Sequence, residues 1–181
     1  TSRQNPDGGF GLWRRGQRSW PFVTIHAAHA LARAQKKGYK VPATSVNKVK
    51  GHLKNIERYI PSWYHPWTKR FVRAYALYVR AQLGEIDTRK ARALIAEAGK
   101  LENLDFGALG WLLYVMSGDP ASKAQITKIT KFLNNRVTET AGAAHFGARQ
   151  GYDQGYLIMH SDRRADGIVL EALIKDQPKS D

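Results

Sequence analysis

Residues 104–116 read Leu-Asp-Phe-Gly-Ala-Leu-Gly-Trp-Leu-Leu-Tyr-Val-Met, with almost no polar side chain after Asp105. A helix that is apolar on all sides must be covered on all sides, whereas a helix with one apolar stripe lies at the surface. Residues 66–84 are similarly apolar. Residues 44–60 instead place lysines opposite one stripe, formed by Val46, Val49, Leu53, Ile56 and Ile60. We therefore predict an all-α chain built from an inner and an outer layer of helices.

Caps and helix breakers predict where each helix begins and ends. Thr44 or Ser45 can cap the helix that ends near Pro61, and Asp87 or Thr88 can cap the helix before Gly99. The predicted helices are 21–37, 44–60, 66–84, 88–98, 104–117, 120–135 and about 161–174. Residues 136–160 are predicted to be irregular, with short strands near 143–147 and 155–160.

The last predicted helix has no obvious partner in the sequence. Its apolar residues lie on several sides, and the chain ends at Asp181. We expect its partner helix to belong to sequence that is not present here. Weak similarity between units of about 40 residues is typical of a two-layer α/α ring, or toroid, or of a solenoid.

Length and composition indicate one folded domain. The chain has 181 residues, of which 43% are hydrophobic, and it contains no cysteine. The absence of cysteine excludes disulfides, thiolate metal sites and cysteine nucleophiles within this sequence. No apolar run reaches the roughly 20 residues of a membrane span. Residue 1 is Thr in a polar stretch, so we expect residues 1–181 to be a single domain from a larger multidomain protein.

The net charge of +14 favours contact with an anionic partner. The positive charges run along the whole chain, with mild clusters at Arg14–Arg18, Lys36–Lys40 and Lys48–Arg58. No zinc-finger spacing or RNA-binding motif accompanies them. We therefore prefer a solvated basic surface to a dedicated nucleic-acid site, and predict at most weak, salt-sensitive binding of polyanions.

The histidines do not form a recognisable metal or catalytic motif. His26 and His29 are neighbours on one helix face, but the His-Glu-x-x-His spacing is absent and no third ligand is evident. His65, His145 and His160 lie in connectors and could meet in space. Packed or half-exposed histidines are the preferred interpretation, so we predict no metal ligand and no cofactor-binding residue.

Acidic and aromatic side chains are also better explained by structure than by chemistry. Paired carboxylates could serve acid–base catalysis, but helix capping explains Asp162 equally well, and we predict no catalytic residue. The acidic residues beside the last helix are Asp162, Asp166 and Glu171. The aromatic residues that could stack on a sugar or base, but more often anchor packing, are Trp13, Trp20, Trp63, Tyr64 and Trp67.

The glycines of residues 8–11 do not form a phosphate-binding loop. They follow no strand, and no Gly-Lys-Ser/Thr follows them. They are expected to permit a tight turn before the first inner helix.

Several stretches in order resemble the thioester-domain region of bacterial alpha-2-macroglobulin-like proteins. The resemblance covers nearly the whole chain, and the order and spacing of the stretches carry it. They are Gln4 to Trp13 (QNPDGGFGLW), Val23 to Leu31, Ala34 to Pro42, Ala74 to Val79, Glu139 to Phe146 and His160 to Ile174.

The resemblance implies an α/α toroid inside a large periplasmic protein that is often lipid-anchored. Such proteins are broad-spectrum protease inhibitors: cleavage of a bait region triggers a conformational change, and the protease is caged or covalently attached. Attachment uses a thioester in a Cys-x-x-Gln motif, which this chain lacks and which in the family would lie before residue 1. Some complement relatives have a histidine that steers the thioester, but none occurs between Phe10 and Val23. That role is therefore not carried over to any histidine here.

The resemblance thus predicts a non-enzymatic domain whose partners are other domains of the parent and, through the parent, target proteases. Two alternatives remain open. One is a basic α/α-toroid module that binds a polyanion or glycan. The other is a glycan-cleaving helical ring, which would need a pair of acids at its mouth.

Overall fold

The computed structural model of the chain describes residues 3–146 and 154–178. These residues confirm the predicted all-α class. They form seven α-helices and one two-stranded antiparallel hairpin: α1 Pro21–Lys36, α2 Ala43–Lys54, α3 Pro66–Gln82, α4 Thr88–Ala98, α5 Phe106–Met116, α6 Lys123–Asn134, β1 Val137–Thr140, β2 Ala143–Phe146 and α7 Asp162–Asp176. None of the helices in this part of the chain is long and apolar enough to cross a bilayer.

The helices lie in two rows. α1, α3, α5 and α7 contact one another in that order, while α2 packs on α1 and α3, α4 on α3 and α5, and α6 on α5. α5 is buried along most of its length, as its composition predicts, and Leu109, Leu112 and Leu113 are fully buried. The inner and outer helices are therefore those that the hydrophobic pattern assigned. Closure of these rows into a toroid stays a prediction.

The prediction of one helix over 44–60 was wrong at both ends. α2 begins at Ala43 after Pro42, without a side-chain cap from Thr44 or Ser45. It ends at Lys54, because the Asn55 side chain donates to the Gly51 carbonyl at 3.0 Å and so competes with a further helical turn. A 3-10 turn, Ile56–Arg58, follows and keeps Ile56 buried.

The segment 136–160 contains the predicted strand near 143 but not the one near 155. β2 pairs with β1 around Gly142, whose φ of +92° suits a tight turn; residue 147 lies outside the described residues. Residues Gly155–Ile158 form a 3-10 turn instead of a strand, because Ile158 inserts into the core and the N–H of His160 donates to the Gly155 carbonyl.

The last helix, α7, lies in the inner row, and Leu170 and Ile174 on it stay exposed. That its outer partner helix belongs to sequence that is not present here stays a prediction. α7 packs along α5, and this contact is the most extensive between any two elements in the described residues. Gly110 makes the close approach possible, since a Cβ at this position would lie 3.0 Å from Ile168 Cγ2 and 3.2 Å from its backbone. Gly107 lies one turn earlier and also faces Ile168.

Candidate functional site

A pocket of about 530 Å³ lies among the four inner helices. Residues of α1, α3, α5 and α7 line it. Its polar and aromatic lining residues are His26, His29, Arg33, Tyr75, Tyr78, Trp111, Arg164 and Glu171. Most pockets that bind small molecules share this combination of apolar walls and a few convergent polar groups.

The two histidines on α1 meet at one hydroxyl group. The Tyr75 hydroxyl lies 3.1 Å from His26 Nδ1 and 3.0 Å from His29 Nδ1. The hydroxyl can donate to one ring nitrogen and accept from the other. The His pair of the sequence therefore faces a phenol.

Burial keeps His29 and Tyr75 uncharged. Burial first, and the nearby positive charge of Arg33 second, lower the pKa of His29 to about 4. Burial also raises the pKa of the Tyr75 phenol well above its usual value. At neutral pH these groups therefore contribute hydrogen bonds to the pocket, but no charge.

A second pair spans the pocket from α3 to α7. The Tyr78 hydroxyl lies 2.9 and 2.8 Å from the two carboxylate oxygens of Glu171 and donates to one of them. Burial first, and this hydrogen bond second, raise the pKa of Tyr78. Glu171 is one of the three acids that the sequence singled out; Asp166 instead accepts from the backbone N–H of Phe146 at 2.9 Å. Glu171 and Asp166 thus have separate partners. That none of these acids is catalytic stays a prediction.

The connector histidines have separate roles. His65 Nδ1 accepts from the Trp67 N–H at the start of α3, while His145 lies exposed on β2. His160 Nε2 lies 3.0 Å from the buried carboxylate of Asp105, which also caps α5 through the Gly107 N–H. Among residues 3–146 and 154–178, no group of three or more His, Asp or Glu side chains is placed to hold a metal ion.

Sequence reasoning missed a buried polar network under the first turn. Ser19 Oγ donates to Asp7 Oδ1 at 2.9 Å, and His52 Nδ1 lies 3.1 Å from the Asp7 carbonyl oxygen. Ser19 and His52 are both buried, and burial lowers the pKa of His52. The serine bonds to the acid instead of the histidine, so these residues do not have the order of a catalytic triad. Gly8, with φ +84°, lies against the backbone of α2 and makes the expected tight turn.

The aromatic residues of the connectors divide between core and surface. Tyr64 and Trp67 are buried packing residues, whereas Trp13 and Trp63 are exposed. Trp20 is half-buried at the start of α1. The structure therefore does not bring the five residues together as one stacking surface.

Part of the basic charge is neutralised in ion pairs. Arg73 contacts Glu57 and Glu97, at 2.9 and 2.6 Å. Similar pairs link Arg80 to Glu85 and Asp87, Arg92 to Asp119, and Arg136 to Glu102. These pairs connect neighbouring segments of the chain.

Comparison with known proteins identifies similar structures but no similar sequence family. No family model matches the chain, and no curated protein matches it. The chain is similar to alpha-2-macroglobulin of Salmonella reacted with methylamine, at 21% identity and a TM-score of 0.75. It is also similar to the trypsin-activated protein of Escherichia coli, at 18% identity and a TM-score of 0.69. Both alignments cover 97% of this chain and 11% of the other chain.

A shorter structure of the native Escherichia coli protein, from domain MG7 to the C-terminus, gives the same result. It has 19% identity and a TM-score of 0.71, and the alignment covers 97% of this chain and 26% of that one. Identities of this size show the fold alone. The chain therefore has the fold of a region of the bacterial alpha-2-macroglobulins, which confirms the resemblance seen in the sequence.

Proposed function

We propose that this chain is a structural and docking domain of a periplasmic, alpha-2-macroglobulin-like protease trap. The observation that supports this function is the similarity of fold over 97% of the chain to six bacterial alpha-2-macroglobulin structures. Two of those structures are of the Escherichia coli protein activated by trypsin or by porcine elastase. In our proposal the parent of this chain is likewise activated by a protease.

The polar groups of the pocket suit a binding or packing role better than a catalytic one. The Tyr75 and Tyr78 phenols keep their protons, and His29 is neutral. A general base or acid works best when its pKa lies near the working pH. The Glu171 carboxylate is already held by Tyr78. These features support a domain that packs or binds without performing chemistry.

Covalent capture by a thioester would require residues outside residues 1–181, since this sequence has no cysteine. The proposed contribution of this domain is a stiff body that moves as a unit when the parent changes conformation. The continuous core through α3, α5 and α7 supports such rigidity, because Phe71, Leu109 and Val169 are all buried in it.

The test is a protease-protection assay with the complete gene product and with residues 1–181 alone. We expect the complete product, after incubation with trypsin, to block cleavage of casein while a small chromogenic peptide is still cleaved, because a cage excludes only large substrates. The isolated chain should leave both activities unchanged at a one-to-one ratio. Unchanged casein cleavage by the complete product would refute the trap, and one-to-one inhibition by the isolated chain would refute the docking role.

A further inference from the structure

The pocket between α1 and α7 contains two guanidinium groups that lack a carboxylate partner within residues 3–146 and 154–178. The Arg164 Cζ atom lies 5.6 Å from the ring centre of Phe22 and 5.5 Å from that of Phe71. Arg33 lines the same pocket from the last turn of α1. Other arginines of the described chain, such as Arg73 and Arg92, have acids within 3 Å.

Partial burial makes the unpaired charge of Arg164 unfavourable. The side chain is half-buried, and loss of solvent lowers its pKa, although Tyr75 and Asp105 oppose that effect. A buried cation is stabilised when an anion accepts its hydrogen bonds. The planar guanidinium group presents two parallel N–H donors, which match the two oxygens of a carboxylate.

The other polar groups of the pocket do not supply that anion. His26 and His29 each hydrogen-bond to the Tyr75 hydroxyl, and the Glu171 carboxylate accepts from the Tyr78 hydroxyl. Among the described residues, the lining therefore has two arginines and one carboxylate, and that carboxylate is already hydrogen-bonded. The electrostatic potential of the two arginines would therefore attract an anion into the pocket.

The rest of the lining is apolar and flat. The Trp111 ring stacks on the Tyr75 ring with centroids 4.2 Å apart and an interplanar angle of 12°. Ala30 and Ile168 complete the apolar part. The volume of about 530 Å³ lies within the range of about 300–1,000 Å³ that small ligands occupy.

We propose that this pocket binds a carboxylate attached to a flat apolar group, with the carboxylate on Arg164 and the apolar part against Tyr75 and Ile168. Arg33 adds positive charge at the rim. The same chemistry has two sources: a free small carboxylate, or an acidic side chain presented by another segment of the parent protein. The second source depends on the proposed function, because it requires a parent protein with further segments. Binding of a small carboxylate by the isolated chain does not depend on the proposed function.

The test is a titration of the chain with 3-phenylpropionate, followed by NMR at the Trp111 indole N–H and the Gly167 amide. The amide of Gly51, on α2 and away from the pocket, serves as the internal control. We expect saturable shifts at Trp111 and Gly167 with a Kd on the order of 1 mM. Acetate lacks the apolar group and 3-phenylpropanamide lacks the charge, so both should bind more weakly.

Matched variants separate the pocket from the general basic surface. Arg164→Gln should weaken 3-phenylpropionate binding about tenfold, whereas Arg163→Gln removes the same charge from the exposed neighbouring position and should change little. Arg33→Gln should weaken binding by a smaller factor. Glu171→Gln should strengthen it, because it removes the only carboxylate among the described lining residues. If Arg164→Gln does not fold by circular dichroism, Arg33→Gln and Glu171→Gln decide.

The absence of a saturable shift at Trp111 would overturn the proposal, as would equal weakening by Arg164→Gln and Arg163→Gln. The same titration on the complete gene product then identifies the source. Binding by both proteins assigns the pocket to a free small carboxylate. Binding by the isolated chain alone assigns it to an acidic side chain that already fills the pocket in the parent. Failure of the protease-protection assay would leave the binding result intact, so the two proposals fail separately.

Discussion

Substitution of Gly110 by Ala tests whether the close contact between α5 and α7 holds the inner row together. The new Cβ would lie 3.0 Å from Ile168 Cγ2 and 3.2 Å from its backbone C and O atoms. Backbone atoms cannot rotate away, so α7 has to shift, and overpacking of this kind costs about 1–3 kcal/mol. Against this, Ala in a helix interior is favoured over Gly by about 1 kcal/mol. We expect a net destabilisation of about 0–2 kcal/mol.

Gly51→Ala is the matched control, because it makes the same chemical change in an exposed helix interior. A Cβ at Gly51 meets no atom within 4 Å, so this variant should gain the full propensity of about 1 kcal/mol. The difference in unfolding free energy between the two variants then isolates the contact with Ile168, and should be about 1–3 kcal/mol. Urea unfolding followed by far-UV circular dichroism measures both values. Equal stability of the two variants would show that α7 does not pack tightly on α5.

Three further predictions concern single side chains. The hydrogen bond that His160 donates to the Asp105 carboxylate raises the pKa of His160. The contribution of this pair to stability is therefore complete below the unfolded pKa of about 6.5 and is lost as the pH rises through the folded pKa. The unfolding free energies of the wild type and His160→Asn, measured in urea from about pH 5 to 9, should converge at high pH, and a difference that does not change with pH would contradict this. Asp87→Ala should lower the unfolding free energy by about 1 kcal/mol through loss of the α4 cap. Asp87→Asn should keep that stability, because an Asn side chain also caps. Thermal unfolding measures both variants, and equal stabilities of the two would show that the cap does not contribute. Leu94→Ala should lower the unfolding free energy by about 2–5 kcal/mol, since Leu94 is 1% exposed. Leu170→Ala, on the exposed face of α7, should change it by no more than about 0.5 kcal/mol. Similar losses for the two variants in denaturant unfolding would refute the assigned burial.

The boundaries of α1 and α4 could be predicted because their signals are local. Pro21 occupies the first position of α1, where its missing N–H is harmless, and Gly38 follows the helix with φ +81°. Asp87 accepts from the Lys90 N–H at 3.0 Å, and Gly99 ends α4 with φ +71°. In both helices the residues that decide the boundary lie within a few positions of it. Neither prediction therefore depended on the rest of the fold.

The errors arose where distant residues decide the structure. Residues 155–158 have a strand-like composition, but Ile158 is drawn into the core, which favours the 3-10 turn over a strand without a partner. The tight contact between α5 and α7 could not be predicted for a related reason. Gly107 and Gly110 leave the space into which Ile168 packs, and no local signal connects these residues.

The pocket was missed because its residues come from four helices that are far apart in the sequence. Spacing identified His26 and His29 as neighbours, but nothing local connected them to Tyr75, nearly fifty residues later. A usable signal was nevertheless present. His26 and His29, Tyr75 and Tyr78, and Arg164 and Glu171 lie three, three and seven residues apart, so each pair falls on one face of its helix. Polar side chains on inner helices are at least partly buried, so they need hydrogen-bond partners from each other or from a ligand. Here Tyr75 bonds to both histidines and Tyr78 bonds to Glu171, while the buried His29 Nε2 has no hydrogen-bond partner among the described residues. Arg164 is the cation of the pocket that has no carboxylate partner among those residues, and it is the group that would attract an anion.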